Sequence, residues 1–236
     1  MKKQYRLSYA VRRGCLSSML LLGILTSCDI DSGPLPVIFV HGLGGEVGDS
    51  FATMRAWLVK GGYEAAFLRE FKMSDSYRNC IETSAGELKL AVDRFMQETG
   101  APKIDIVGHS LGGLVTRYYV KSLGGDKKVR NVVTLASPHH GTLLAGDNPW
   151  FCSVTQMAPT SAFLNNLNKT DETPGTSVLW TSYRNAADPF VIPFESPIIA
   201  GARNETVPEN HVTMLTSPGA FAKVQEGLEG GGLNTR

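Results

Sequence analysis

The sequence predicts an α/β fold of about six mostly parallel strands with helices on both faces, and three observations carry that prediction. Short apolar runs alternate with amphipathic helical stripes from residue 36 to residue 228, the βαβ rhythm that builds a parallel sheet. Residues 37–40 are four consecutive apolar residues (Val37-Ile38-Phe39-Val40), as a strand covered on both faces requires. Two strand-like runs then break into glycine-rich turns, Gly42-Leu43-Gly44-Gly45 and Gly108-His109-Ser110-Leu111-Gly112-Gly113.

The elements follow in order. Residues 49–60 form a helix with Phe51, Met54, Trp57 and Leu58 on one face, and 65–71 a strand. The stretch 81–99 is helical, its stripe made by Leu88, Ala91, Val92, Phe95 and Met96. Residues 103–107 read as a buried strand. The helix over 111–123 carries Leu111, Leu114, Val115, Tyr118 and Leu123 and is stopped by Gly124-Gly125. Later strands are expected at 132–136, 177–183 and 198–202, and a closing helix at 217–228 before a flexible tail at 229–236. No internal repeat is visible.

Chemistry concentrates at the glycine turns. In Gly108-His109-Ser110-Leu111-Gly112 a serine sits on a sharp strand-to-helix turn, and the flanking glycines let strand and helix pass closely. Ser110 is therefore the candidate nucleophile. A tetrahedral oxyanion needs preorganised donors; the backbone amides of Leu43 and of Leu111 are the candidates. Of five histidines, His41 belongs to the first turn, His109 adjoins Ser110, and His139 and His140 follow the strand at 132–136. Only His211 lies far enough along the chain for the order serine, acid, histidine. The acid falls between them, after a strand. Asp188 leaves the carboxyl end of the strand at 177–183, whereas Asp171 and Glu172 precede that strand; Glu195 and Glu205 stay open as substitutes.

Taken together, the segments at 40–45 (Val-His-Gly-Leu-Gly-Gly), 108–113 (Gly-His-Ser-Leu-Gly-Gly), 136–142 (Ala-Ser-Pro-His-His-Gly-Thr), 179–188 and 201–204, with His211 after them, resemble the small bacterial lipases of the α/β-hydrolase superfamily, especially the minimal ones. That resemblance implies ester hydrolysis with Ser110, Asp188 and His211 as the triad, a lipid or other ester as substrate, no cofactor and no metal. Phospholipase or acyltransferase chemistry on the same triad is the alternative, as is a silent lipid-binding lipoprotein. One departure is the stretch 143–176, longer than a minimal lipase needs, where a small cap is expected.

Residues 1–27 hold five basic residues, an apolar core at 19–25 and no acidic residue, which predicts a secretory signal too short to span a membrane comfortably. Its end, Leu25-Thr26-Ser27-Cys28, resembles a lipoprotein cleavage site that would lipidate Cys28; an ordinary cleavage site is the alternative. The expected destination is across the cytoplasmic membrane, as a membrane-anchored lipoprotein (periplasmic or at the cell surface) or else extracellular. Residues 28–35 would be a tether, reaching no more than about 30 Å. Without the signal the chain keeps 18 basic and 22 acidic residues, net −4. No basic patch points to nucleic acid, and a monomer is expected. Cys80 and Cys152 remain as a pair in an oxidising compartment, expected to form a disulfide, with two buried free thiols as the alternative.

Overall fold

Strand β1 (Val37–Val40) lies inside a six-stranded sheet between β2 (Leu68–Phe71) and β3 (Ile104–His109). Outward from β3 follow β4 (Val129–Leu135), β5 (Leu179–Arg184) and β6 (Arg203–Thr206), giving the order β2-β1-β3-β4-β5-β6 with every pair parallel. This is a computed structural model, and it describes residues 34–230. The expected signal segment, Cys28, most of the tether and the end of the tail lie outside the described residues.

The two-residue period of β1 explains its unbroken apolar run. Ile38 and Val40 enter one core with Leu88, Val92 and Phe95 of α2 (Ile81–Thr99) and Leu114 and Val115 of α3 (Leu111–Ser122). Val37 and Phe39 enter a second core with Met54 and Leu58 of α1 (Ala52–Lys60) and Val224 and Leu228 of the C-terminal helix. Each face of the sheet thus has its own pair of helices, and alternate strand residues face opposite layers.

Parallel pairing aligns the carboxyl ends. Val40 pairs with Gly108, His109 with Leu135, and Leu135 with Tyr183, so the turns after β1, β3, β4 and β5 share one edge. The chain leaves β1 towards β2 but continues from β3 in the other direction. The crevice at this reversal is where open parallel sheets place their sites.

Residues 143–176 carry two short helices, α4 (Cys152–Gln156) and α5 (Ala162–Leu167). Two cations on α3 hold the segment after α5. Lys121 Nζ donates to the carbonyls of Leu167 and Lys169 at 2.7 Å and of Asp171 at 3.0 Å. The buried Arg117 donates to the Glu172 carbonyl at 3.0 Å and to Asn168 Oδ1 at 2.9 Å. A disulfide joins Cys80, just before α2, to Cys152, the first residue of α4, with Cα atoms 4.8 Å apart. The remaining helix, α6 (Pro218–Leu228), is capped by the Ser217 hydroxyl, which accepts from the Gly219 amide.

Two expected strands are corrected. The strand placed at 198–202 is instead β6 at Arg203–Thr206: Ile199 is buried, but the backbone there turns, its amide donating to Asn204 Oδ1. Apolar content marked burial, not pairing. Alternate β6 residues are exposed, and Arg203 pairs with Glu205 and Glu226, as does Lys223. Residues 65–67, expected as the start of a strand, form a 3-10 turn ahead of β2.

Candidate active site

The turn after β3 is strained at one residue. Ser110 has φ 52° and ψ −124°, a left-handed backbone that side chains rarely adopt and that costs on the order of 1–3 kcal/mol. Neighbouring pairing holds it: the Ser110 amide donates to the Leu135 carbonyl at 2.9 Å, and its own carbonyl accepts from Gly113 at 3.0 Å. The glycines are sterically required. A methyl group on Gly112 would come 2.2 Å from the Val40 carbonyl oxygen, and one on Gly108 would meet the Gly113 backbone at 2.9 Å. Leu111 follows as the first residue of α3, where the amides of a helix start are directed outward.

His211 stands in the loop between β6 and α6. Its Nδ1 lies 2.8 Å from Asp188 Oδ2, and both side chains are buried. Asp188 leaves the loop after β5, and its other oxygen accepts from the Phe190 amide at 2.8 Å and the Val191 amide at 3.0 Å. Burial acts to raise the Asp188 pKa, but the His211 bond and the two amides outweigh it and hold the carboxyl below its usual value. An ionised Asp188 can only accept, so Nδ1 of His211 carries a proton, and in the neutral ring Nε2 holds the lone pair.

The turn after β1 is clamped from several sides. His41 Nε2 accepts from the Met73 amide and Nδ1 donates to the Gly42 carbonyl, which also accepts from the Gly45 amide. Ser76 Oγ accepts from the Gly44 amide at 2.7 Å, and Lys72 Nζ donates to the Gly45 carbonyl at 3.0 Å. With the Gly42 carbonyl turned to one side, planarity of the peptide directs the Leu43 N–H to the other.

A cavity of about 370 Å³ brings these turns together. Leu43, His109, Ser110 and His211 line it; Asp188 stands behind His211. The other walls are mainly apolar: Tyr77, Leu144, Ala145, Val154, Met157, Phe190 and Val191. Glu195 and Glu205, the other acids left open, do not line the cavity, and Glu205 is taken up in ion pairs with Arg203 and Lys223. Sequence reasoning missed the wall supplied by Tyr77, whereas α4 lies in the stretch 143–176 where a small cap was expected. Cys80 follows Tyr77 by three residues and Cys152 opens α4, so the expected disulfide was the one signal that ties these two walls together.

The family model described as palmitoyl protein thioesterase matches residues 36–188. The chain belongs to the palmitoyl protein thioesterase family. The matched stretch contains Ser110 and Asp188, while His211 lies after it. Two triacylglycerol lipases, from Pseudarthrobacter phenanthrenivorans and Burkholderia plantarii, are each 34% identical over 118 residues, or 47% of this chain. The match spans only 35% and 31% of those two relatives. Among solved structures, Aspergillus fumigatus lipase B superposes with TM-score 0.69 at 18% identity, covering 84% of this chain and 53% of that one. The mature form of Bacillus licheniformis lipase BlEst2 gives 0.69 at 17% identity, covering 84% and 93%. At such identities the likeness concerns the fold, which is that of an α/β-hydrolase.

Proposed function

We propose that this protein is a serine carboxylic-ester hydrolase of the lipase or esterase type, cleaving acyl esters of lipids through an acyl-enzyme. One observation carries the reading: Ser110 and the Asp188-paired His211 line the same apolar cavity. His211 Nε2 takes the proton of Ser110 as Oγ bonds to the ester carbonyl carbon, and the amides of Leu43 and Leu111 receive the oxyanion. The imidazolium, stabilised by Asp188, gives its proton to the departing alcohol as the ester C–O bond breaks. Water then loses a proton to His211 and adds to the acyl carbon. The Oγ–C bond breaks, the proton returns to Ser110, and the carboxylic acid leaves.

Hydrolysis of p-nitrophenyl esters from acetate to palmitate, with Ser110→Ala as control, tests this together with fluorophosphonate labelling of the serine. Folded wild-type protein that neither hydrolyses nor labels would sink it. The description of the family matched over residues 36–188 favours a second reading, a fatty-acyl thioester as substrate; the same triad would act, with a thiol as the leaving group. A palmitoyl thioester offered beside the palmitoyl oxygen ester separates the two by their kcat/KM ratio.

Lipidation of Cys28 after export belongs to the same proposal, since Leu25-Thr26-Ser27-Cys28 supports it. Multiple acyl chains would give stable anchoring where a single chain is marginal. Incorporation of labelled fatty acid that is lost in Cys28→Ala is the expected result.

A further inference from the structure

His109 is the last residue of β3, covalently next to Ser110, and its side chain is buried with a relative exposure of 7%. Its Nε2 lies 2.8 Å from the main-chain carbonyl oxygen of His211, and the two imidazole rings stand 4.7 Å apart, tilted by 58°. A carbonyl oxygen only accepts, so Nε2 of His109 carries a proton and donates it. The charged or titratable groups that act on this ring are His211, Asp188 and His41; burial is the largest influence and lowers its pKa to about 3. The ring is therefore neutral wherever an imidazole base works, and Nδ1 carries no proton.

His211 is thereby held at two places, from the loop after one strand and from the end of another. Asp188, after β5, holds its Nδ1, and His109, at the end of β3, holds its carbonyl. These act differently. The carboxylate sets the tautomer and the direction of the ring, whereas the carbonyl bond sets where the main chain of the loop stands. Because His109 is peptide-bonded to Ser110, that second bond ties base to nucleophile through a single residue. A displacement of about 1 Å between reacting groups can cost about 10²-fold in rate. A neutral ring beside His211 also adds no repulsion when the imidazolium forms, as a second cation 4.7 Å away would.

We infer that His109 is a positioning residue for the general base: a neutral, Nε2-protonated imidazole that sets the His211 loop relative to Ser110. This rests on the hydrolase reading above.

Two variants separate donation from bulk. His109→Phe keeps a ring and loses the donor; His109→Gln loses the ring and keeps an N–H that can reach the same carbonyl. With an ester that the wild type turns over, the Phe variant is expected to lose roughly 10- to 100-fold in kcat, with KM within about two-fold and fluorophosphonate labelling slowed in parallel. The Gln variant recovers most of kcat, and the acid limb of its pH profile stays where the wild type has it. Retention of wild-type kcat by a folded Phe variant would overturn the inference. Equal losses in both variants, with equal falls in Tm, would assign His109 a packing role only and overturn it as well. Imidazole nitrogen NMR on Ser110→Ala protein needs neither turnover nor a His109 variant: an Nε2–H on His109 that persists from pH 5 to 8 is expected, and a ring titrating near its ordinary value contradicts the inference. A wild type that fails with every ester and with the probe, while this NMR signature is present, removes the hydrolase reading and leaves the contact intact.

Discussion

The Met73 amide donates to His41 Nε2 at 3.0 Å, so the other ring nitrogen of His41 is the donor to the Gly42 carbonyl at 2.7 Å. A residue following β2 thus fixes the tautomer of a histidine following β1, and through it the plane of the Gly42–Leu43 peptide. If the Leu43 amide receives the oxyanion, His41→Phe frees that plane while preserving much of the bulk. Losing one such donor costs about 10²–10³ in kcat; a looser donor is expected to cost about ten-fold or more, with KM little changed. Steady-state kinetics beside a thermal melt check this, and unchanged kcat would argue against the clamp.

Asp188→Asn keeps the shape of the pair but lets His211 take the wrong tautomer, because the amide can donate as well as accept. A fall in kcat on the order of 10⁴ is expected, with the protein still folded. If Glu195 or Glu205 were the acid, the variant would keep most of its activity, which makes it a direct comparison among the three carboxylates.

Glu70 differs from most acids of the chain. Burial raises its pKa to about 7, the hydrogen bond with Asp49 adds to this, and Lys72 opposes both. A carboxyl whose folded pKa exceeds its unfolded one contributes stability that is complete below the unfolded value, ordinarily 4.5, and is lost as pH rises through about 7. Replacing it by Gln should flatten the dependence of unfolding free energy on pH between those limits. Denaturant melts across the range decide, and identical slopes in both proteins would mean that Glu70 titrates normally.

Val154 of α4 faces the cavity two residues after Cys152, and Tyr77 faces it three residues before Cys80. The Ser153 hydroxyl donates to the Ser76 carbonyl at 2.6 Å, so this wall is stitched by more than the disulfide. A larger side chain in Val154→Trp should shift the preferred acyl length to shorter chains by two carbons or more, without slowing the fluorophosphonate reaction. The same chain-length profile in both proteins would mean that acyl chains lie elsewhere.

Removing the disulfide with Cys80→Ser and Cys152→Ser opens a loop of 72 residues. Loop-closure entropy puts the upper limit of the loss at about 4 kcal/mol. A lower Tm and a broadened acyl-length preference are expected together; a lower Tm with an unchanged preference would make the bond a stabiliser of the chain but not of the wall.

How far the residues alone could be read depends on whether a feature is local. Ser110 and its glycines are a local matter, since a tight turn and a close helix crossing leave few residue choices. Asp188 was chosen for following the carboxyl end of a strand and His211 for its late place in the chain; their side chains lie 2.8 Å apart. The edge strand β6 was misplaced because its alternating charged and exposed polar residues look like a loop while the apolar residues before it are buried in a turn. Cavity walls were the least legible. Leu43, Tyr77, Val154 and Phe190 converge from separate parts of the chain, and no periodicity records which apolar residues meet.

The sheet ends on both sides in a strand of four residues, β2 and β6, and each carries an ion-paired charge: Arg69 with Glu98 on one, Arg203 with Glu205 on the other. Any molecule that tried to lengthen the sheet would have to strip water from those ion pairs along a very short backbone template. The charges that hid β6 among loops therefore guard against runaway stacking of one copy on another, a property of value to a protein whose pocket already exposes greasy side chains to water.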